Sequence, residues 1–559
     1  MFRKSTVLIF TAGFLYAQNN IYVYEYHAKK REGINLDYER SVGVEYLNFL
    51  RQSANMTPFI LNTLLNSSSQ NHAKYLNANN QVGHYEDKSY QYFTGVEPKD
   101  RVNYVGYDAY EGENVTYGVE SVKASIDNLF SAIYHRFGFL NYDANEIGIG
   151  IDGLNYVYNM GNKEINDICK GSSYSGYGYY YYGICIDYNF KIEKNSYDTA
   201  KNSSRAKNPE VILWPYNGMS DFEPPFFEES PDPLPNHSVS GNPISVKFNE
   251  YFVKSVQLIS FELYKNGVKV DNTLILTKDN DPNSKFSEFE FALFPLDRLD
   301  WNTNYSVKTS FNVDGATKNY EWSFKTKSLD IPVYEINSTT AKIDIKPNVE
   351  YAIYLKPLNA NDISNGYSSQ YQSGMEFLKT DFIDMNTLKI AISGSIGQKA
   401  IFNFQSGRVL ELTLSNTDLA TYPTTNQNFT LNLQKGWNLV SIPVNKSYNS
   451  SIFSGDTTYT YNGSYTKNPT TLNPKQGIWV LSSSSKSYTF EGQEYSSDSF
   501  STLSSGWSLL GAGKNITIQN EISCQNCSIK SSWTYNATLS SWSKNPSTIN
   551  RGEGFWIYK

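Results

Sequence analysis

Glu146-Ile147-Gly148-Ile149-Gly150-Ile151, the turn Asp152-Gly153 and the run from Tyr156 to Met160 read as two short strands joined by a tight turn. What stands before this hairpin decides the fold class. From Leu36 to Asn80 the pattern is helical, first around Tyr46 to Leu50, then stepping by four through Ile60, Leu64, Ser68, His72 and Leu76. That spacing predicts a helix with His72 on its inward stripe, as a packed or cleft-wall residue. Val122, Ile126, Leu129, Phe130 and Ile133 write a second buried face, which ends near Tyr134-His135-Arg136. His135 is thereby expected at a helix C-terminus, where the dipole favours a protonated imidazole as an acid/base group or as a cap. The tyrosine run Tyr179 to Tyr182 is assigned to the same sheet region. Helices followed by short strands predict a compact α/β layered domain ending near residue 190.

A length of 559 residues predicts several domains. Lys and Arg number 48 against 55 Asp and Glu, a net charge of −7 with no long block of either sign, which argues against nucleic acid as a partner. Aromatics reach 15% and include 45 tyrosines, while charged residues are only 18%, a balance that favours β-rich, surface-exposed modules. Phe2-Arg3-Lys4 followed by the apolar run Ser5 to Tyr16 reads as a secretory signal peptide over residues 1–17, with Gln18 as the new terminus. No other segment is apolar for 18 residues, so a mature chain without a transmembrane segment, secreted or at the cell surface, is expected. Cys169 and Cys185, around a Gly/Ser/Tyr-rich stretch, and the pair Cys524 and Cys527 read as two local disulfides in an oxidising compartment. A redox-active reading of the second pair lacks the βαβ setting that such a dithiol uses.

Beyond the first domain the polar segment 195–208 reads as linker. Val211 to Pro215, Ile244 to Phe248, Leu258 to Lys265 with the turn Asn266-Gly267, Ser287 to Leu293, Tyr305 to Val313 and Tyr320 to Lys325 predict a β-sandwich. Asp279 to Asn283 lacks the spacing and terminal glutamate of a calcium loop and reads as an acidic turn. Near the end, Gly436-Trp437, Lys467-Asn468-Pro469 and Gly477-Ile478-Trp479 recur about 70 to 77 residues later as Gly506-Trp507, Lys544-Asn545-Pro546 and Gly554-Phe555-Trp556. Trp437, Trp479, Trp507 and Trp556 are expected as core anchors, the alternative being rings that stack on sugars.

Chemistry concentrates in the first domain, where His72, His84 and His135 accompany Gly112-Glu113-Asn114-Val115. Imidazole with carboxylate binds divalent metal or shuttles protons. This domain also resembles the CAP superfamily, the cysteine-rich secretory protein, antigen 5 and pathogenesis-related-1 group, in its bacterial SCP-like form. The resemblance is carried by Leu61-Asn62 through Asn71-His72-Ala73, Gly83-His84-Tyr85-Glu86, Gly112-Glu113-Asn114-Val115, Tyr134-His135-Arg136 and Glu146-Ile147-Gly148-Ile149-Gly150, across about residues 38 to 190. It implies an α/β/α sandwich with a central cleft in which two histidines face two acids. By motif the histidines are His84 and His135, and Glu113 is the first acid. The family's second glutamate falls near Ala132, which cannot serve. Asp127 lies about 12 Å along the helix axis from His135 at 1.5 Å per residue, and Glu146 is the other candidate. Residues 208–250 resemble an Ig-like module through Trp214-Pro215, Pro231 to Pro235 and Gly241 to Ile244, and the repeats resemble modules of other bacterial surface proteins.

The expected chain is multi-domain: signal peptide 1–17, CAP domain 36–190, linker 191–208, Ig-like β-sandwich 209–328, a β-rich domain of unknown type 329–428, and β repeats 430–495 and 500–559. Its expected role is binding of a lipid, metal or protein ligand in the cleft of His84, Glu113, His135 and Glu146, with the β modules presenting it at a surface. One alternative is a metal-dependent hydrolase or protease in which His84, His135 and Glu113 hold zinc with an open water position. No serine, cysteine or threonine stands out as a nucleophile, so binding is favoured over catalysis. The other alternative is an adhesin whose repeats contact polysaccharide.

Overall fold

The structure, a computed structural model, describes residues 16–23, 35–421, 427–444, 446–492, 505–517, 530–546 and 548–559. The leader expected over residues 1–17 falls outside them except for its last two residues, and the expected Cys524–Cys527 disulfide falls wholly outside. Two compact units form, residues 1–329 with 334–419, and residues 330–333 with 420–559.

The first domain places a four-stranded sheet between helices. Helix α1 (Leu36–Ser53) starts at Asn35, whose side chain accepts from the Tyr38 amide, and α2 (Thr63–Asn79) starts at Asn62, which accepts from the amides of Leu64 and Leu65. Because Asn62 starts the helix, Ile60 is not on its stripe. It lies instead in the short strand Ile60–Leu61, parallel to Glu146–Asp152. The sheet continues antiparallel through Asn155–Gly161 to Tyr110–Tyr117. Strand alternation sorts Glu146–Asp152 into two faces. Ile147, Ile149 and Ile151 are buried with Leu47, Val122 and Ile126 of the helices on one side. Gly148 and Gly150 face α2 on the other, so closely that an added Cβ would lie 1.9 Å from the Leu65 backbone and 2.1 Å from that of Ser69.

Helix α3 (Pro98–Tyr104) leads to the outer strand, and α4 (Val122–Ser131) begins at Ser121. The single helix expected through Tyr134 is two. Ala132 adopts an extended ψ of 114°, and α5 (Ile133–Phe139) starts after it. His135 therefore occupies the first turn of a new helix rather than a C-terminus. Helix α6 (Lys163–Cys169) carries Cys169, which is disulfide-bonded to Cys185. Tyr180–Tyr181 does not join the central sheet but forms a separate ribbon with Ile192–Glu193.

The expected linker is helical. In α7 (Lys194–Arg205), Ser204 donates to the Tyr142 carbonyl at 2.9 Å and Arg205 pairs with Asp143. It docks through polar groups, Ala200 and the partly buried Tyr197, too few apolar contacts to write a stripe. The domain thus extends past residue 190 to meet a sandwich of two antiparallel sheets. One holds Thr273–Leu276, Glu290–Pro295, Ile244–Phe248 and Val211–Trp214. The other holds Val268–Lys269, Val256–Lys265, Asn304–Val313 and Ala316–Lys325. A continuous apolar core runs from Leu47 and Ile149 through Phe130 and Trp214, 4.6 Å apart at their ring centroids, to Phe291 and Phe311. Arg136 of α5, fully buried, donates across this boundary to the Pro243 carbonyl and to Asn242.

Residues 334–419 are also all-β. Strands Gly366–Gln372, Lys399–Phe404, Val409–Leu414 and Thr340–Ile345 form one sheet, with Tyr16–Val23 added at the Gly366–Gln372 edge. Its one parallel pairing joins Thr340–Ile345 to Val409–Leu414.

In the second unit the two repeats have one topology. Gly436–Ser441, Gly477–Ser482, Thr457–Tyr461 and Tyr465–Lys467 pair in the same order as Trp507–Gly511, Gly554–Tyr558, Ser531–Asn536 and Ser541–Lys544. The repeated Lys-Asn-Pro has a shared cause. Asn468 and Asn545 both take the left-handed conformation, at φ 47° and 48°, and both side chains accept from a strand amide at 2.9 Å. Among the described residues no helix is long and apolar enough to cross a membrane.

Candidate functional site

The cleft is built on a buried ion network beneath the two expected histidines. His72, fully buried on α2, bonds Glu86 through Nδ1 at 2.8 Å and the Gly83 carbonyl through Nε2 at 3.0 Å. Arg101 of α3, also fully buried, places Nη2 2.8 and 2.9 Å from the two oxygens of Glu113. Burial alone would raise the Glu113 pKa, yet the hydrogen bond from His84 and the charge of Arg101 hold it below the ordinary carboxylate value. Glu113 is thus an ionised anchor under the cleft floor.

Two imidazoles stand above it. His84, on the loop after α2, sets Nδ1 3.0 Å from Glu113 Oε1. His135 of α5 lies opposite, the rings 6.2 Å apart and within 18° of parallel. Asn114, next to Glu113, holds the α5 backbone by donating to the His135 carbonyl at 2.8 Å. The strand segment Gly112-Glu113-Asn114-Val115 therefore serves both histidines, one through a carboxylate and one through an amide.

The second acid comes from the next domain. Glu229, in the proline-rich segment that opens the sandwich, accepts from His135 Nδ1 at 2.9 Å and from the Tyr134 amide at 3.3 Å. Its side chain is 2% exposed. The break at Ala132 makes this possible, because it frees the amides of the first turn of α5 for an outside carboxylate. Both earlier candidates lie elsewhere. Asp127 accepts from the Tyr46 hydroxyl, and Glu146 is buried against Tyr107, whose hydroxyl donates to it at 2.9 Å. Glu229 gives no spacing signal, being 94 residues from His135. Asp281, read as an acidic turn, does accept three backbone amides of its own turn, and it also takes the Tyr134 hydroxyl.

Each carboxylate holds an Nδ1, so the bonding network assigns Nδ1–H to both rings and leaves each Nε2 as the open acceptor. Neither Nε2 has a hydrogen-bond partner among the described residues. The three-ligand zinc set of His84, His135 and Glu113 does not assemble. Arg101 occupies both Glu113 oxygens, and the three donors do not converge within 4.8 Å. Among the described residues the group that does converge is Asp108 with Cys169 and Cys185, whose sulfurs are spent in the disulfide. No hydroxyl or thiol among the described residues is hydrogen-bonded to His84 or His135, so a nucleophile–base pair is not formed.

Residues 44–162 match the family model described as CAP, Cysteine-rich secretory protein family, and the chain carries a CAP domain there. No curated protein matches. Among solved structures, an extracellular protein containing an SCP domain from Bacillus anthracis is 19% identical, with a TM-score of 0.21, over 23% of this chain and 41% of that one. An outer surface protein from Borrelia burgdorferi is 16% identical, with a TM-score of 0.20, over 23% of this chain and 95% of that one. InvD from Yersinia pseudotuberculosis is 7% identical, with a TM-score of 0.16, over 51% of this chain and 87% of that one.

Proposed function

We propose that this chain is a secreted or surface-presented protein that acts by binding, and that its CAP cleft captures a zinc-class cation between His84 and His135. The observation that carries this reading is the pair of carboxylate–imidazole units, Glu113–His84 and Glu229–His135, with rings 6.2 Å apart and both Nε2 atoms open. A carboxylate on Nδ1 is the usual support for a metal-binding imidazole. Two protein ligands leave the other coordination positions to water or to a group on a partner. The hydrolase reading needs a third protein ligand or an assembled nucleophile, and neither supports it here. Export is supported by the Cys169–Cys185 disulfide and the apolar run behind Arg3-Lys4.

Calorimetric titration of zinc into the chain from Gln18 tests this. One ion is expected to bind saturably, with binding lost in His84→Ala and in His135→Ala and weakened about 10- to 100-fold in Glu229→Gln. Absence of saturable binding, or wild-type affinity in either histidine variant, would overturn the proposal.

A further inference from the structure

The two C-terminal repeats carry an aromatic surface that the CAP cleft does not explain. Ile478 and Val480 are fully buried, so strand alternation turns Trp479 to the outer face; Phe555 and Ile557 do the same for Trp556. The tryptophans expected as core anchors are instead outward rings, and Trp437 and Trp507 are 42% and 47% exposed. Trp437 and Trp479 line a cleft of about 500 Å³ together with Tyr459, Tyr465 and Tyr535. Trp437 stands at 90° to Trp479 at 5.9 Å, forming a corner of two ring faces, and Tyr535 of the second repeat closes against Trp479 at 5.2 Å. The arrangement recurs with the repeats exchanged. Trp507 meets Trp556 at 86° and 6.1 Å, and Tyr461 of the first repeat packs on Trp556 at 4.9 Å.

We propose that this surface binds a neutral polysaccharide. The cleft lies within the size range of small-ligand sites. Its lining is entirely aromatic, with no charged and no aliphatic side chain, which suits the C–H face of a pyranose better than an ion or an acyl chain. The Tyr459 and Tyr535 hydroxyls have no hydrogen-bond partner among the described residues, so they are open to sugar hydroxyls. An aromatic groove also suits polyproline peptides, which are read by an indole N–H. A polyproline peptide therefore enters the test as the competing ligand. Finally, two copies of one corner on rigid strands suit a ligand that itself repeats, because the second contact is made at high effective concentration.

Affinity electrophoresis of the chain from Gln18 tests the proposal, in native gels cast with hydroxyethylcellulose, galactomannan, laminarin, dextran or starch. At least one glycan is expected to retard the protein. Trp437→Ala is expected to raise the dissociation constant about tenfold, with a smaller loss in Tyr465→Ala should the first variant fold poorly. Retardation should persist unchanged in Tyr177→Ala, a fully exposed tyrosine of the first unit, and in His84→Ala, which separates this site from the cation cleft. No retardation by any of the five glycans, retention by Trp437→Ala and Tyr465→Ala at wild-type strength, or binding of a labelled polyproline decamer in place of glycan would each overturn it.

Discussion

Replacing Trp214 with alanine probes whether the CAP domain and the sandwich fold as one body. Trp214 ends the strand Val211–Trp214, is 1% exposed and packs 4.6 Å from Phe130 of α4. A buried indole removes about 150–250 Å² from water, worth about 4–6 kcal/mol at roughly 25 cal/mol per Å². Partial collapse of the vacated space brings the expected cost to about 3–5 kcal/mol. That is a large share of the 5–15 kcal/mol typical of a folded domain. Hydrogen exchange read by mass spectrometry, beside urea unfolding, reports where the loss is felt. Because the ring is shared, protection should fall by a similar free energy in α4 and Glu146–Asp152 on one side and in Ile244–Phe248 and Glu290–Pro295 on the other. If only the sandwich peptides lost protection while α4 kept its wild-type rates, the single-body reasoning would fail.

Two further outcomes follow from the same core. Gly150→Ala forces a Cβ to within 2.1 Å of the Ser69 backbone, so α2 must move; a thermal melt should show a loss of about 3 kcal/mol or more. Burial pushes the Asp127 carboxyl up from 3.8 to about 6 despite the hydrogen bond from Tyr46. The folded state then binds this proton more tightly than the unfolded state, so stability present below pH 3.8 is lost as pH rises through about 6. Asp127→Asn should flatten that slope and exceed wild type by about 1–3 kcal/mol at pH 7.5, as read from urea midpoints. An unchanged pH dependence would place the slope in another group.

The central hairpin was readable because its isoleucines and glycines alternate, and alternation both makes the strand and opens the glycine face to α2. His84, Glu113 and His135 were readable as a set from their motifs. The break at Ala132 was not, since alanine is the best helix former. Helix α7 was hidden because it docks mainly through Ser204 and Arg205, with only Ala200 and Tyr197 as apolar contacts. Glu229 was hidden by distance along the chain. The repeat tryptophans were found at the right positions but assigned to the wrong face, because period-two patterning sorts residues into two sets without saying which set is inside.

The bond between Glu229 and His135 makes the cleft a product of assembly order. His135 acquires its carboxylate partner only once a segment 94 residues downstream has packed against it, so only then does each imidazole have its own carboxylate. A first domain cut at the end of α7 would keep every residue of its own motif and still present an unbalanced pair, one ring tethered and the other loose. The smallest piece that preserves the site is therefore the CAP domain together with the sandwich that completes it.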